Sequence, residues 1–178
     1  NNNDNLIPII NLSNEEIIMV DSITIHVVNA FENVKTHTAI EKRIFHLGNN
    51  IRYKTKKNTI KKYLLFKKGD SVSKTTLIES ERNLRKQIFL ADAKIYLEKI
   101  DQIVIISIMV FDQWTTVPLI GMKKIGNEWS HSFGVIENNF IGSGQTISVT
   151  HYKSLSTEGN TFNYHNLSIG KYKLRYKL

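Results

Sequence analysis

Hydrophobic and polar positions first fall into a clear rhythm after Val20. There Ile23, Ile25 and Val27 alternate with Ser22, Thr24 and His26, the period of two that marks a half-buried strand. Further on, Ile60, Tyr63 and Leu64 recur at i, i+3 and i+4 behind Thr55, which predicts a capped helix with one apolar face. Lys67-Lys68-Gly69-Asp70 is predicted to turn the chain, because glycine accepts positive φ without a Cβ clash. A second helix should follow at once, with Ser73 as N-cap, Glu79 and Glu81 toward the positive end of its dipole, and Leu77, Leu84 and Ile88 as the buried stripe. Glu81 and Arg85 add an i, i+4 pair in the favourable order.

Ile95 and Leu97 against Lys94, Tyr96 and Glu98 predict a strand with one charged face, turning near Lys99 to Gln102. Ile103 to Phe111 is an unbroken apolar run rich in β-branched residues, too short to span a bilayer as a helix, and reads as a central strand. The order strand, helix, helix, strand, strand is that of an α+β domain with both helices on one face of a short sheet. If Val20 to Val28 flanks one side of the central strand, the Lys94 to Lys99 strand flanks the other and is expected to leave its outer edge open. Ahead of this domain, residues 1–19 carry a single apolar knot, Leu6-Ile7-Pro8-Ile9-Ile10, and are expected to be a tail. Ala39 to Leu47 offers a helical turn stopped by Gly48-Asn49-Asn50.

After Trp114 the helical spacing disappears. Between Trp114 and Gly126 the composition shifts to Gly, Ser, Thr, Asn and Tyr, and the domain is taken to end at Pro118, giving segments 20–118 and 119–178. Strands are expected over Ser130 to Ile136, Gln145 to Tyr152, Thr161 to Leu167 and Lys171 to Leu178. The last places Tyr172, Leu174, Tyr176 and Leu178 on one face and Lys171, Lys173, Arg175 and Lys177 on the other. That alternation suits a barrel wall between lipid and a wet lumen, and equally a half-exposed antiparallel strand.

Composition narrows the chemistry. The chain has 178 residues and no cysteine, so disulfides and thiolate chemistry are excluded. Its opening, Asn1-Asn2-Asn3-Asp4-Asn5, is not a secretory signal, so the numbering is expected to begin at a mature end or an internal boundary. The net charge of +8 arises in one stretch: Arg52, Lys54, Lys56, Lys57, Lys61, Lys62, Lys67 and Lys68 occur with no acid between them. This reads as a solvated helix face, or as a surface for an anionic partner. The six histidines show no zinc-ligand spacing, and Gly142-Ser143-Gly144 is neither a nucleophile elbow nor a phosphate loop. No catalytic residue, metal site or cofactor is expected.

Three blocks carry a resemblance. Tyr63-Leu64-Leu65-Phe66-Lys67-Lys68-Gly69-Asp70, Leu77-Ile78-Glu79-Ser80-Glu81-Arg82-Asn83-Leu84-Arg85 and Phe89-Leu90-Ala91-Asp92-Ala93-Lys94-Ile95 resemble the helix-turn-helix-strand centre of POTRA domains. These modules precede the β-barrels of the outer-membrane superfamily that includes BamA, TamA and two-partner-secretion proteins. Val104 to Val110 and Asp112-Gln113-Trp114-Thr115-Thr116-Val117-Pro118 resemble the junction of the last such domain with its barrel. Phe133 to Gln145 is similar to the first barrel strand and turn, with Asn138 and Asn139 leading into Gly142 and Gly144.

The resemblance implies a POTRA-like β-α-α-β-β domain followed by the first antiparallel strands of an outer-membrane β-barrel. Only about four strands are expected in the second half, fewer than closure of such a barrel requires, so the chain is expected to be a truncated piece or a degenerate relative. The implied function is polypeptide binding in the bacterial periplasm for assembly or translocation, not enzymatic catalysis. On this reading extended or unfolded polypeptide pairs with the edge Lys94, Ile95, Tyr96, Leu97 and Glu98, Arg82 and Arg85 flank that edge, and Tyr172, Leu174 and Tyr176 face outer-membrane lipid. Accessory assembly proteins are the further partners. The alternative, a basic nucleic-acid-binding α+β domain, rests on the lysine stretch but lacks exposed aromatics interleaved with it, so no nucleic-acid partner is expected.

Overall fold

The computed structural model describes residues 6–13, 16–29 and 53–166, and the backbone of 175–177. The helical turn expected over Ala39 to Leu47 lies outside the described residues, as do Tyr172 and Leu174. Two compact units divide between Gln113 and Trp114.

The first unit is built on a four-stranded sheet of order β1-β5-β6-β3, with β1 over Leu6–Pro8, β3 over Ser22–Val28, β5 over Leu90–Ile100 and β6 over Ile103–Asp112. β6 is central, parallel to β3 and antiparallel to β5. Its position follows from its sequence, since an unbroken apolar run is stable only with both edges paired. The registers Ile25↔Ile108 and Ile95↔Ile108 put Ile25, Ile95, Leu97, Ile106, Ile108 and Val110 in one buried layer. Onto that layer pack Ile60 of α1 (Lys57–Lys61) and Leu77 and Leu84 of α2 (Lys74–Arg85), with Phe66 and Phe89. Each such side chain contributes on the order of 1.5–3 kcal/mol by leaving water.

Four expectations need correction. Residues 1–19 are not a free tail: Leu6–Pro8 forms β1 against β5, Ile9–Asn11 is a 3-10 turn, and Ile17–Met19 forms β2 against β4 (Ser71–Ser73). Ile9, Leu12 and Ile18 enter the core, where their burial outweighs the cost of ordering this short segment. Thr55 does not cap α1. It is buried, its N–H and hydroxyl donating to Asp112 at 3.0 and 2.6 Å, so the helix begins two residues later. Ser73 does cap α2, but the first turn holds no acid, and Ile88 falls beyond the helix end and is exposed. The sheet therefore has four strands where three were expected.

The second unit is an antiparallel meander of order β11-β10-β9-β8-β7, over β7 Thr116–Ile125, β8 Glu128–Phe140, β9 Gln145–Lys153, β10 Glu158–His165 and β11 Arg175–Lys177. β7 was not anticipated. It carries Pro118, which is tolerated because β7 is an edge strand and need not donate on both sides. Phe133 to Phe140 accordingly belongs to the second strand of this sheet, not the first.

Candidate functional site: an outward apolar sheet face and a managed strand edge

Registers in the second unit sort its side chains onto two faces. Ile120↔Phe133, Pro118↔Val135, Val135↔Val149 and Val149↔Phe162 align one set, joined by Met122, Trp129, Ile147 and Tyr164. The other set is Gly121↔Ser132, Leu119↔Gly134, Gly134↔Thr150 and Ser148↔Asn163. Along β8 the large residues Trp129, Phe133 and Val135 are exposed while Ser130, Ser132 and Gly134 are less so. This inverts the usual order of a water-soluble sheet. Ile120 is 83% and Met122 71% exposed, and every member of the hydrophobic core lies between Ile9 and Val110. The apolar face of the second unit thus has no partner among the described residues.

The opposite face is built for close approach. A Cβ on Gly134 would lie 2.3 Å from the Val149 carbonyl oxygen, and one on Gly121 2.6 Å from Ser132 Oγ. Tyr152 lies over Gly159, 2.8 Å from where its Cβ would be, the aromatic cover that compensates a strand glycine. Glycines and small hydroxyl residues on one face, bulk on the other, bend a sheet toward the small side. Lys124 sits 5.9 Å over the Trp129 ring beside the β7–β8 turn, a cationic and aromatic margin to the apolar band.

The turn residues singled out in the sequence are brought together. Between Glu137↔Ile147 and Phe140↔Gln145, Asn138 and Asn139 oppose the single residue Thr146, a β-bulge. The backbone N–H and side-chain amide of Asn138 both donate to the Thr115 carbonyl, at 3.0 and 3.2 Å. Asn139 is buried, and its Oδ1 accepts the Gly144 N–H at 2.9 Å, closing a turn in which Ile141, Gly142 and Gly144 all have positive φ. At both places the asparagine amide bonds a backbone group, as a donor at Asn138 and as an acceptor at Asn139.

At the first unit's β5 edge, Ile95 and Leu97 face the core and Lys94, Tyr96 and Glu98 the other side. The edge itself is not open, contrary to expectation. The Ile95 N–H donates to Glu81 Oε2 at 2.7 Å, and the Ala93 carbonyl accepts from Arg85 Nε at 2.9 Å. Leu6, Ile7 and Pro8 then pair with Glu98, Leu97 and Tyr96. Such blunting of exposed backbone groups is how edge strands avoid indiscriminate pairing. Arg85 also holds Glu81 at 2.8 Å and Asp92 at 3.0 Å, so it is a clip between α2 and β5. Arg82 reaches only Glu79, at 3.3 Å on the surface.

Tyr176 lies in β11, opposite Tyr164. The lysines between Lys54 and Lys68 are exposed, while Thr59 and Ile60 turn inward. Among the described residues no three His, Cys, Asp or Glu side chains converge as metal ligands.

No protein-family model and no curated protein matches the chain. Among solved structures, the crystal structure of BamA from Haemophilus ducreyi lacking POTRA domains 1-3 aligns with a TM-score of 0.62 at 15% sequence identity, over 86% of this chain and 25% of that one. The likeness is one of fold, which is BamA-like, and the chain spans about a quarter of the length of that structure.

Proposed function

We propose that the chain is part of a bacterial outer-membrane assembly or translocation protein. In this reading the first unit, up to Gln113, is a POTRA-like polypeptide-binding domain in the periplasm, and the second, from Trp114 onward and including β7, supplies the first strands of a β-barrel wall in lipid. The observation that carries the reading is the inverted burial of β7 to β10: Ile120, Met122, Phe133, Val135, Val149 and Phe162 are exposed on the outer face, while Gly, Ser and Thr predominate on the inner face, beside Val117, Leu119 and Ile136. A water-soluble sheet with this face uncovered would aggregate, whereas hydrocarbon solvates it. The BamA-like fold supports the same reading. From the alternation of the sequence alone, Tyr172, Leu174 and Tyr176 are assigned to the lipid face.

The first unit's part is to hold extended polypeptide at β5 from Tyr96 to Glu98, the stretch of the expected Lys94 to Glu98 edge that Glu81 and Arg85 leave uncapped, and pass it to the barrel. The antiparallel pairing of Leu6–Pro8 supports this, because it demonstrates that the edge over Tyr96 to Glu98 accepts a strand. No cofactor is required, as strand pairing and burial supply the driving force. Accessory assembly proteins would dock on the same domain.

Val135→Arg tests the membrane part. It places a cation in the middle of the apolar face, which costs about 2–4 kcal/mol at the bilayer midplane. Membrane extraction should recover that variant in the unassembled fraction, while Ser132→Arg on the inner face should assemble. Equal assembly of both would contradict the assignment of faces.

A further inference from the structure

The segment that closes the β5 edge is held unevenly. Its base is fixed: Ile9 and Leu12 are buried in the core, and Lys74 Nζ donates to the carbonyls of Ile10 and Leu12, each at 2.8 Å. Its tip, Leu6–Pro8, is only three residues long. Leu6 is half-buried, and Ile7 and Pro8 are exposed. A strand segment paired along one side and largely exposed lies toward the low end of local stability and opens more readily than the core beneath it.

We propose that Leu6–Pro8 is a releasable latch on the β5 edge, an internal stand-in for the extended polypeptide ligand, which must displace it to bind. This rests on the polypeptide-binding reading above and adds what regulates the site and what the ligand looks like. The other half of the edge cannot be used, because Glu81 and Arg85 already hold Ile95 and Ala93. Only the stretch from Tyr96 onward exchanges partners, and β5 continues to Ile100, two residues past the one that Leu6 faces. The register also sets the ligand's pattern. Ile7 faces Leu97, whose side chain is on the helix-covered side, while Leu6 and Pro8 face Glu98 and Tyr96 on the other. The ligand is therefore an extended segment with an apolar residue at the half-buried Leu6 place or at the Ile7 place on the helix-covered side. Because Ile9, Leu12 and Lys74 stay in place, displacing the tip leaves the fold intact.

The chain's lack of cysteine makes the test direct. Leu6→Cys with Glu98→Cys, at paired positions, locks the latch when oxidised and frees it when reduced. Leu6→Gly with Ile7→Gly loosens it. The probe is a fluorescein-labelled eight-residue peptide of alternating valine and serine, followed by anisotropy on the whole chain, with circular dichroism to verify the fold. The oxidised variant should bind at least tenfold more weakly than the same variant reduced, and the loosened variant severalfold more tightly than the unaltered chain. Binding unaffected by the lock would overturn the latch while leaving polypeptide capture standing. Absence of binding in every state, the loosened one included, would overturn both.

Discussion

Single residues in this chain do work that their identity in the sequence foreshadows but does not locate. Gly134 reads in the sequence as one small residue of the strand expected over Ser130 to Ile136, yet it sits where β9 leaves no room for a side chain on β8. Ala at that position would put its Cβ 2.3 Å from a backbone oxygen that cannot move without breaking the ladder. Gly134→Ala should therefore lower stability by about 1–3 kcal/mol, as overpacking does, read as a fall in the urea midpoint of the second unit in detergent. Unchanged unfolding would mean that the strands are not so close. Asn139 is a contrasting case, since an asparagine before a Gly-x-Gly turn was visible as a motif. What the sequence could not show is that its amide accepts the Gly144 N–H from within a buried site.

Among the elements, those with long regular patterns were legible. β3 and β5 follow from alternation, β6 from its unbroken apolar run and α2 from the Leu77 and Leu84 spacing, and the Ser73 cap is where the sequence put it. β1, β2 and β4 have three residues each, too few for any periodicity to register. β7 escaped because Val117 and Leu119 share the side otherwise occupied by Gly121, which spoils the alternation, and because Pro118 reads as a break. The candidate edge was half legible. The Glu81 and Arg85 pair was evident from its i, i+4 spacing, but its second task, capping Ile95 and Ala93, depends on tertiary packing of α2 on β5. Glu81→Ala with Arg85→Ala should uncover that stretch of backbone and promote edge-to-edge association. Sedimentation should then show concentration-dependent oligomers absent from the unaltered chain, and a strictly unchanged profile would deny the pair this role.

For the molecule as a whole, the decisive property is that it contains two units obeying opposite rules of burial. In the first, apolar side chains from helices and sheet share one core. In the second, the bulkiest apolar side chains point outward and the small residues inward. On the proposed reading the second unit meets hydrocarbon where the first meets water, which reconciles the two. The most direct test is a nitroxide scan along β8. Single cysteines from Ser130 to Ile136 are spin-labelled in the membrane-embedded chain, and collision with oxygen is compared with collision with a water-soluble nickel chelate. With Gly134 left unlabelled because a Cβ there has no room, labels at 131, 133 and 135 should favour oxygen and those at 130, 132 and 136 the chelate, a period of two in register with the sheet. A flat profile, or uniform access of the chelate to both faces, would contradict the account.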